Sequence, residues 1–294
     1  MFSFCTDPSI LPQWQWFACY LTTNTHFALY RSVLVVMLLL ALVAPLALGL
    51  GMLGALAIRS GNMILRGIGK TYVSMVRGVP DIIFFLFVPI AIDQLVEFVL
   101  HRIRCPDWEG SVWRGNDFVV CAAAKMPLNN SPQWVHDTYS FLVATLTFAI
   151  VFGAFAANVL FGAMRAVPRG QLETAEAYGM SQRQTFWRVL VPQMWVFALP
   201  GLSNLWMVLI KATPLLFLLG IQDIVYWARE LGGAAQPRFT AYPHPDWRMW
   251  YFLALLVFYL CFTKVSEVVL DRIMARLTYG QATAAGEAQR KAAT

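Results

Sequence analysis

Charge is scarce in this chain. Only 13% of its 294 residues are Asp, Glu, Lys or Arg, where a soluble domain carries about 25%. That shortage, with 59% hydrophobic residues and a mean hydropathy of +0.58, excludes an ordinary soluble domain and points to an integral membrane protein. Lys and Arg are absent from residues 1–26, and Asp and Glu are absent from residues 59–77. No basic segment precedes an apolar run at the start, so no removable signal peptide is expected. The four His are scattered and the Cys show no zinc spacing, so no metal site is expected. Gly69-Lys70-Thr71 imitates the end of a phosphate-binding loop, but Ile64 stands where that loop needs Gly and an apolar span lies upstream. No nucleotide site or cofactor is therefore expected in this chain. No internal repeat suggests two fused halves.

What is present is a series of apolar runs. A spanning helix needs roughly 20 apolar residues. Five runs meet that: 27–58, 78–100, 138–164, 195–221 and 247–269. The expected fold is an all-α membrane protein with five transmembrane helices. Residues 1–26 form a polar-aromatic leading segment and 101–137 a polar insert; a spanning domain covers 27–275, and 276–294 is a polar tail. The net charge of +6 would suit a nucleic-acid partner, but its placement fits membrane topology better. The acid-free loop 59–77, the polar stretch with Arg165, Arg169, Arg183 and Arg188, and the C-terminal end with Arg272, Arg276, Arg290 and Lys291 all fall on one side. The positive-inside rule makes that side cytoplasmic, with the N-terminus outside and the C-terminus inside. Arg102, Arg104, Arg114 and Lys125 in the outer insert are balanced by Asp107, Glu109, Asp117 and Asp137. Cys5, Cys19, Cys105 and Cys121 then lie on the oxidising side, where bridges such as Cys105–Cys121 can form. Spacing alone leaves free thiols equally open.

Ala47, Gly51 and Ala55 in the first span, and Ala149, Gly153 and Ala157 in the third, form stripes of small residues that allow close helix packing. Residues 165–192 are a polar, helix-forming island. Pro168 suits a first helical turn, Gly179 a left-handed stop, and Ser181 with Gln184 a capping box. Phe186, Val189 and Leu190 give the second helix an apolar face, and Pro192 limits its continuation. The island reads as a short amphipathic helix–turn–helix. From amphipathicity alone, it would lie on lipid headgroups.

Glu173, Thr174, Ala175, Gly179, Val189 and Pro192 resemble, in order and spacing, the cytoplasmic coupling loop of ABC importer permeases. That pattern is Glu-Ala-Ala, three residues, Gly, nine residues, Ile-x-Leu-Pro. Here Thr174, Val189 and Val191 stand in for an Ala, the Ile and the Leu. The group most resembled is the polar amino acid (histidine/glutamine-type) permeases. Arg77-Gly78-Val79-Pro80 resembles that group's Arg-Gly-Thr-Pro, and Leu199-Pro200, Asn204, Lys211 and Thr213 its Leu-Pro, Asn and Lys-x-Thr series. The resemblance covers residues 27–275; the insert, the long leading segment and Thr213-Pro214 depart from it.

The resemblance implies a permease subunit that is not itself an enzyme. Its implied partners are a second homologous permease subunit, two cytoplasmic subunits that carry ATP and Mg, and a periplasmic substrate-binding protein. Its setting is the lipid of a bacterial inner membrane, and its cargo a polar amino acid, basic or opine-like derivatives included. The substrate path would lie between the two permease subunits. Lys211 deep in an apolar run is a functional-site candidate, facing an acidic partner or a substrate carboxylate, with Asn204 on the same helix face. Pro200 and Pro214 would bend that span. Asp81 would cap a helix, Asp93 and Glu97 would form a solvated rim, and Glu267 would pair with Lys264 or Arg272. A membrane-embedded transferase would need clustered His, Asp or Glu at a membrane face, and a channel or stand-alone carrier would leave the island unexplained.

Overall fold

The computed structural model describes residues 5, 10–108, 110–126, 131–238 and 240–278. The tail beyond residue 278, with Arg290 and Lys291, lies outside the described residues, as does Glu109. Among the described residues, five helices are long and apolar enough to cross a membrane. They are α2 (Asn24–Arg59), α4 (Asp81–Arg104), α5 (Gln133–Ala166), the continuous helix Gln182–Leu219, and α10 (Arg248–Thr278). Each covers all or most of one of the five apolar runs and continues into polar flanks that composition alone could not assign.

Shorter helices fill the connections: α1 (Gln13–Leu21), α3 (Met63–Gly78), α6 (Arg169–Ala177) and α9 (Ile224–Gly232). The stretch 59–77, read above as a loop, is largely α3. Asn62 caps it by accepting from the Ile64 N–H at 2.9 Å, and Gly69, Val73 and Val76 form its buried stripe at helical spacing. Asp81 does not cap α4. Pro80 holds the cap position, and Asp81 sits in the first turn, where its charge favours the positive end of the helix dipole.

The core forms around α5. In its most apolar window 67% of residues are buried, against 6% in α10, so α5 is the central span and α10 a peripheral one. Phe148 of α5 meets Phe85 of α4 with ring centroids 4.5 Å apart. Val36, Leu39, Leu40 and Val43 of α2 pack into the same core, as do Leu209, Ile210 and Leu216. The two stripes of small residues face each other. A methyl group on Gly51 would lie 2.6 Å from the Ala156 Cβ, and one on Gly153 would lie 2.9 Å from both the Leu50 Cβ and the Tyr72 hydroxyl. Only Gly allows α2 and α5 so close.

At the end of the bundle away from the island, two disulfide-bonded caps sit on the helix ends. Cys5–Cys19 holds the first and Cys105–Cys121 the second. In the first cap, one donor direction satisfies a whole chain of hydrogen bonds. His244 Nδ1–H donates to the Pro245 carbonyl at 2.8 Å, so His244 Nε2 accepts from the Tyr20 hydroxyl at 3.1 Å. Tyr20 accepts from Tyr251 at 3.0 Å, Tyr251 from His26 Nε2–H at 2.7 Å, and His26 Nδ1 from Thr23 at 2.8 Å. The chain ties α1, α2 and α10 together. In the second cap, a two-stranded antiparallel hairpin pairs β1 (Trp113–Arg114) with β2 (Asp117–Phe118). It is anchored to α4 through Arg104 to the Ala123 carbonyl at 2.7 Å and the Met126 N–H to Glu97 at 3.1 Å.

Asp93 and Glu97 are therefore not a solvated rim. Asp93 accepts from the Tyr139 hydroxyl of α5, and Glu97 is 8% exposed beneath the insert. Periodicity put both on one face but could not show that the insert folds back over them.

Candidate functional site

The island folds as a hairpin of helices. Pro168 occupies the cap position of α6 rather than its first turn. Ala175 is buried, while Glu173 and Thr174 are exposed, with the Thr174 hydroxyl donating to the Gly170 carbonyl at 2.6 Å. Gly179 has φ +81°, and no atom would lie within 4 Å of a methyl group placed on it. It is there for backbone conformation, since side chains are strained at that angle. Met180 N–H returns to the Ala175 carbonyl at 3.1 Å and Gly179 N–H to Glu176 at 2.9 Å, which closes the helix end. Ser181 then starts α7 (Gln182–Thr185) with the expected capping box: Ser181 N–H donates to Gln184 Oε1 at 2.9 Å, and Gln184 N–H to Ser181 Oγ at 3.4 Å.

Pro192 does not end this helix. Residues Phe186–Leu190 form a π turn, with Val191 N–H bonded to the Phe186 carbonyl, and α8 (Val191–Ala212) follows without a break. A π turn shifts the hydrogen-bond register by one, so a residue without an N–H is tolerated just after it. Val189 is half-buried and Leu190 buried against Ala163, Met164 and Met194. The hairpin is thus continuous with a membrane span and leans on α5. Its tip presents Tyr178, 85% exposed, at the C-terminal end of the helix that carries Glu173. Tyr178 was not singled out from the sequence; an aromatic one residue before the turn Gly was the available signal.

Arg77-Gly78-Val79-Pro80 forms the joint between α3 and α4. Arg77 donates to Asn158 of α5 at 3.1 Å, Gly78 ends α3, and Val79 and Pro80 are extended before α4. Pro200 lies inside α8, which runs through it, and Pro214 opens a 3-10 segment, Thr213–Leu219, that tightens the end of the span. Asn204 and Lys211 share one exposed face of α8 with Val208 between them, and Lys211 makes no ion pair among the described residues. Thr213 is not on that face. It is fully buried, its hydroxyl bonded to the Ile210 carbonyl at 2.9 Å and to Tyr259 at 3.0 Å, so it holds α10 rather than lining a path. Lys264 pairs with Glu267 at 2.8 Å.

Asp223 caps α9 by accepting from the Tyr226 N–H at 2.9 Å, while its second carboxylate oxygen is buried without a partner. Burial pushes its carboxyl up to about 6. His101, Cys105 and Cys121 have ligand atoms within 4.8 Å of one another, but the two sulfurs are bonded together and His101 Nδ1 accepts from the Cys121 N–H at 3.1 Å.

Residues 47–279 match the family described as binding-protein-dependent transport system inner membrane component. The arginine ABC transporter permease protein ArtQ of Escherichia coli K12 is 31% identical over 210 residues, 71% of this chain and 78% of that protein. The histidine/lysine/arginine/ornithine permease protein HisQ of Salmonella typhimurium is 31% identical over 236 residues, 80% and 86% of the two chains. The octopine permease protein OccQ of Rhizobium radiobacter is 28% identical over 220 residues, 74% and 77%. A crystal structure of an amino acid ABC transporter with histidines superposes with a TM-score of 0.56 at 19% identity, covering 86% of this chain and 98% of that one; at that identity it supports the fold alone. With the match extending from the second half of α2 to the end of α10, this chain belongs to the binding-protein-dependent inner membrane components: it is a multi-pass permease subunit of an ABC importer.

Proposed function

We propose that this permease carries a polar amino acid, cationic or opine-like, inward across the membrane, driven by ATP hydrolysed with Mg in two separate cytoplasmic subunits. The observation that carries the reading is the Gly179-hinged hairpin: a polar knob with Glu173 and Tyr178 exposed, continuous with the span α8. A push on the knob reaches α8 without crossing a flexible linker. Leu190 against α5 and Arg59 over Phe186 spread it to α5 and α2. A second permease subunit would cover the exposed face with Asn204 and Lys211. There Lys211 is placed to attract a substrate carboxylate in a medium where an unpaired ammonium is costly. The names of the relatives support the amino-acid substrate class. Basic residues around the hairpin and α3 support a cytoplasmic loop end, a cytoplasmic C-terminus, and an N-terminus and insert on the periplasmic side. A periplasmic binding protein would deliver the substrate there.

The deciding experiment is reconstitution of the permease with its ATPase and binding-protein subunits. Glu173→Lys should leave the protein in the membrane and abolish substrate-stimulated ATP hydrolysis. Normal stimulation and transport in that variant would refute the coupling role. Reporter fusions decide the orientation: one after residue 120 should report periplasm, and one after residue 180 cytoplasm. The reverse would overturn it.

A further inference from the structure

Between the end of α4 and the disulfide-bonded hairpin lies a cavity of about 400 Å³, within the size range of small-ligand sites. The polar side chains on its wall are donors. His101 is 3% exposed, and its Nδ1 accepts from the Cys121 N–H, so the ring's hydrogen is on Nε2. No acceptor meets it among the described residues. The Trp108 indole N–H is buried and also has no acceptor there. Arg102, held with its guanidinium 5.3 Å from the Phe98 ring centroid, has no ion pair among the described residues. Ser111 Oγ already accepts from the Trp113 N–H at 3.2 Å, which leaves its own hydrogen to give. Among the described residues, no carboxylate or carboxamide side chain lines the space. A buried donor without an acceptor is destabilising, and a group that accepts from several donors beside a guanidinium is best supplied by an oxyanion.

We propose that this cavity binds a carboxylate, with Arg102 supplying the charge and His101 and Trp108 neutral donors. The site lies apart from Asn204 and Lys211 on α8. Its setting rests on the importer reading, in which the insert faces the periplasm. The carboxylates available there belong to free amino acids and to acidic side chains of the binding protein.

The test uses the assembled transporter in lipid nanodiscs, with two probes: L-glutamate, and the substrate-loaded binding protein. Dissociation constants are measured for the wild type, Arg102→Gln and Trp108→Phe, with thermal unfolding as a folding control. At least a tenfold weakening in both folded variants is expected for one probe. Weakening for L-glutamate assigns the site to a free carboxylate; weakening for the binding protein alone assigns it to a protein side chain. Unchanged constants for both probes overturn the proposal. Glu109→Gln is a further arm, because that residue adjoins Trp108 in sequence. If a probe binds only after this change, the chain's own carboxylate fills the cavity and the proposal fails. Should Trp108→Phe not fold, Arg102→Gln decides alone. Substrate-stimulated ATP hydrolysis by the wild type is recorded in parallel. Its absence would count against the importer reading, while the L-glutamate arm still decides the cavity.

Discussion

The guanidinium of Arg59, the last residue of α2, lies over the ring of Phe186, 5.1 Å from its centroid. The pair joins the first span to the π turn that carries the hairpin into α8. A cation–π contact at such an exposed position contributes about 0.5–1 kcal/mol, too little to decide folding but enough to bias how two helices move together. Phe186→Ala should therefore leave membrane levels near normal and lower substrate-stimulated ATP hydrolysis severalfold. Arg59→Lys keeps the charge without the planar fork and should fall between. Full coupling in Phe186→Ala would show that the hairpin does not act through α2.

The α2–α5 contact gives a prediction with an internal control. Gly51→Val would drive side-chain atoms into Ala156, and overpacking of this kind costs about 1–3 kcal/mol. A lower midpoint of thermal unfolding in detergent is expected. Gly49 sits two residues earlier on the same helix with nothing within 4 Å of an added methyl group. Gly49→Ala should leave the midpoint unchanged or raise it, since Ala is the better helix former. Equal effects at the two positions would contradict the packing.

Asp223 yields a pH dependence. Its folded carboxyl is pushed up to about 6 by burial, above the ordinary aspartate range near 4. Between those values the folded chain binds more protons than the unfolded one, so this group's contribution to stability falls as pH rises through the window and is least favourable above it. Asp223→Asn keeps an oxygen for the Tyr226 N–H and removes the charge. At pH 7.5 it should unfold at a temperature equal to or above the wild type's, with the difference shrinking as pH falls toward 4. Asp223→Ala loses the cap as well and should be less stable than Asp223→Asn at every pH. A wild type that gains stability, relative to Asp223→Asn, as pH rises from 4 to 7.5 would refute the assignment.

Much of the span architecture was legible because bilayer thickness imposes a length on apolar runs. The hairpin was legible because its stops are local: Gly179 needs a left-handed angle, and Ser181 with Gln184 forms a box within four residues. The Gly51 and Gly153 stripes were readable from spacing as packing surfaces, but their packing on each other was not. What was not legible depends on distant parts of the chain. Asp93 and Glu97 looked solvated because nothing in the sequence shows that residue 126 returns to cover Glu97. Thr213 followed Lys211 in a motif, yet a change from α to 3-10 geometry rotates it away into α10. Pro192 looked like a stop because the π turn before it has no sequence signature. The stretch 59–77 lost its helix to a reading that gave its basic residues more weight than its Gly69, Val73, Val76 stripe.

The insert's disulfide is the remaining case, and both its chemistry and its cost can be checked. Cys105 and Cys121 are bonded across 16 residues, and closing a loop of that size contributes about 3 kcal/mol by restricting the unfolded chain. The insert has a two-residue-per-strand hairpin and few aliphatic residues, so it lacks the apolar area to hold itself. With Cys5–Cys19 also bonded, Cys261 is the free thiol among the chain's five cysteines. Thiol labelling of unfolded protein without reductant should therefore mark one cysteine per chain, and labelling after reduction should mark all five. The Cys105→Ser, Cys121→Ser double variant should still insert, because α2, α5 and α8 pack without the insert. Its insert should become sensitive to protease, and the Cys121 N–H to His101 bond should lose its fixed geometry. Full labelling of Cys105 and Cys121 without reductant would show instead that the hairpin is held by Trp108, Arg104 and Glu97 alone.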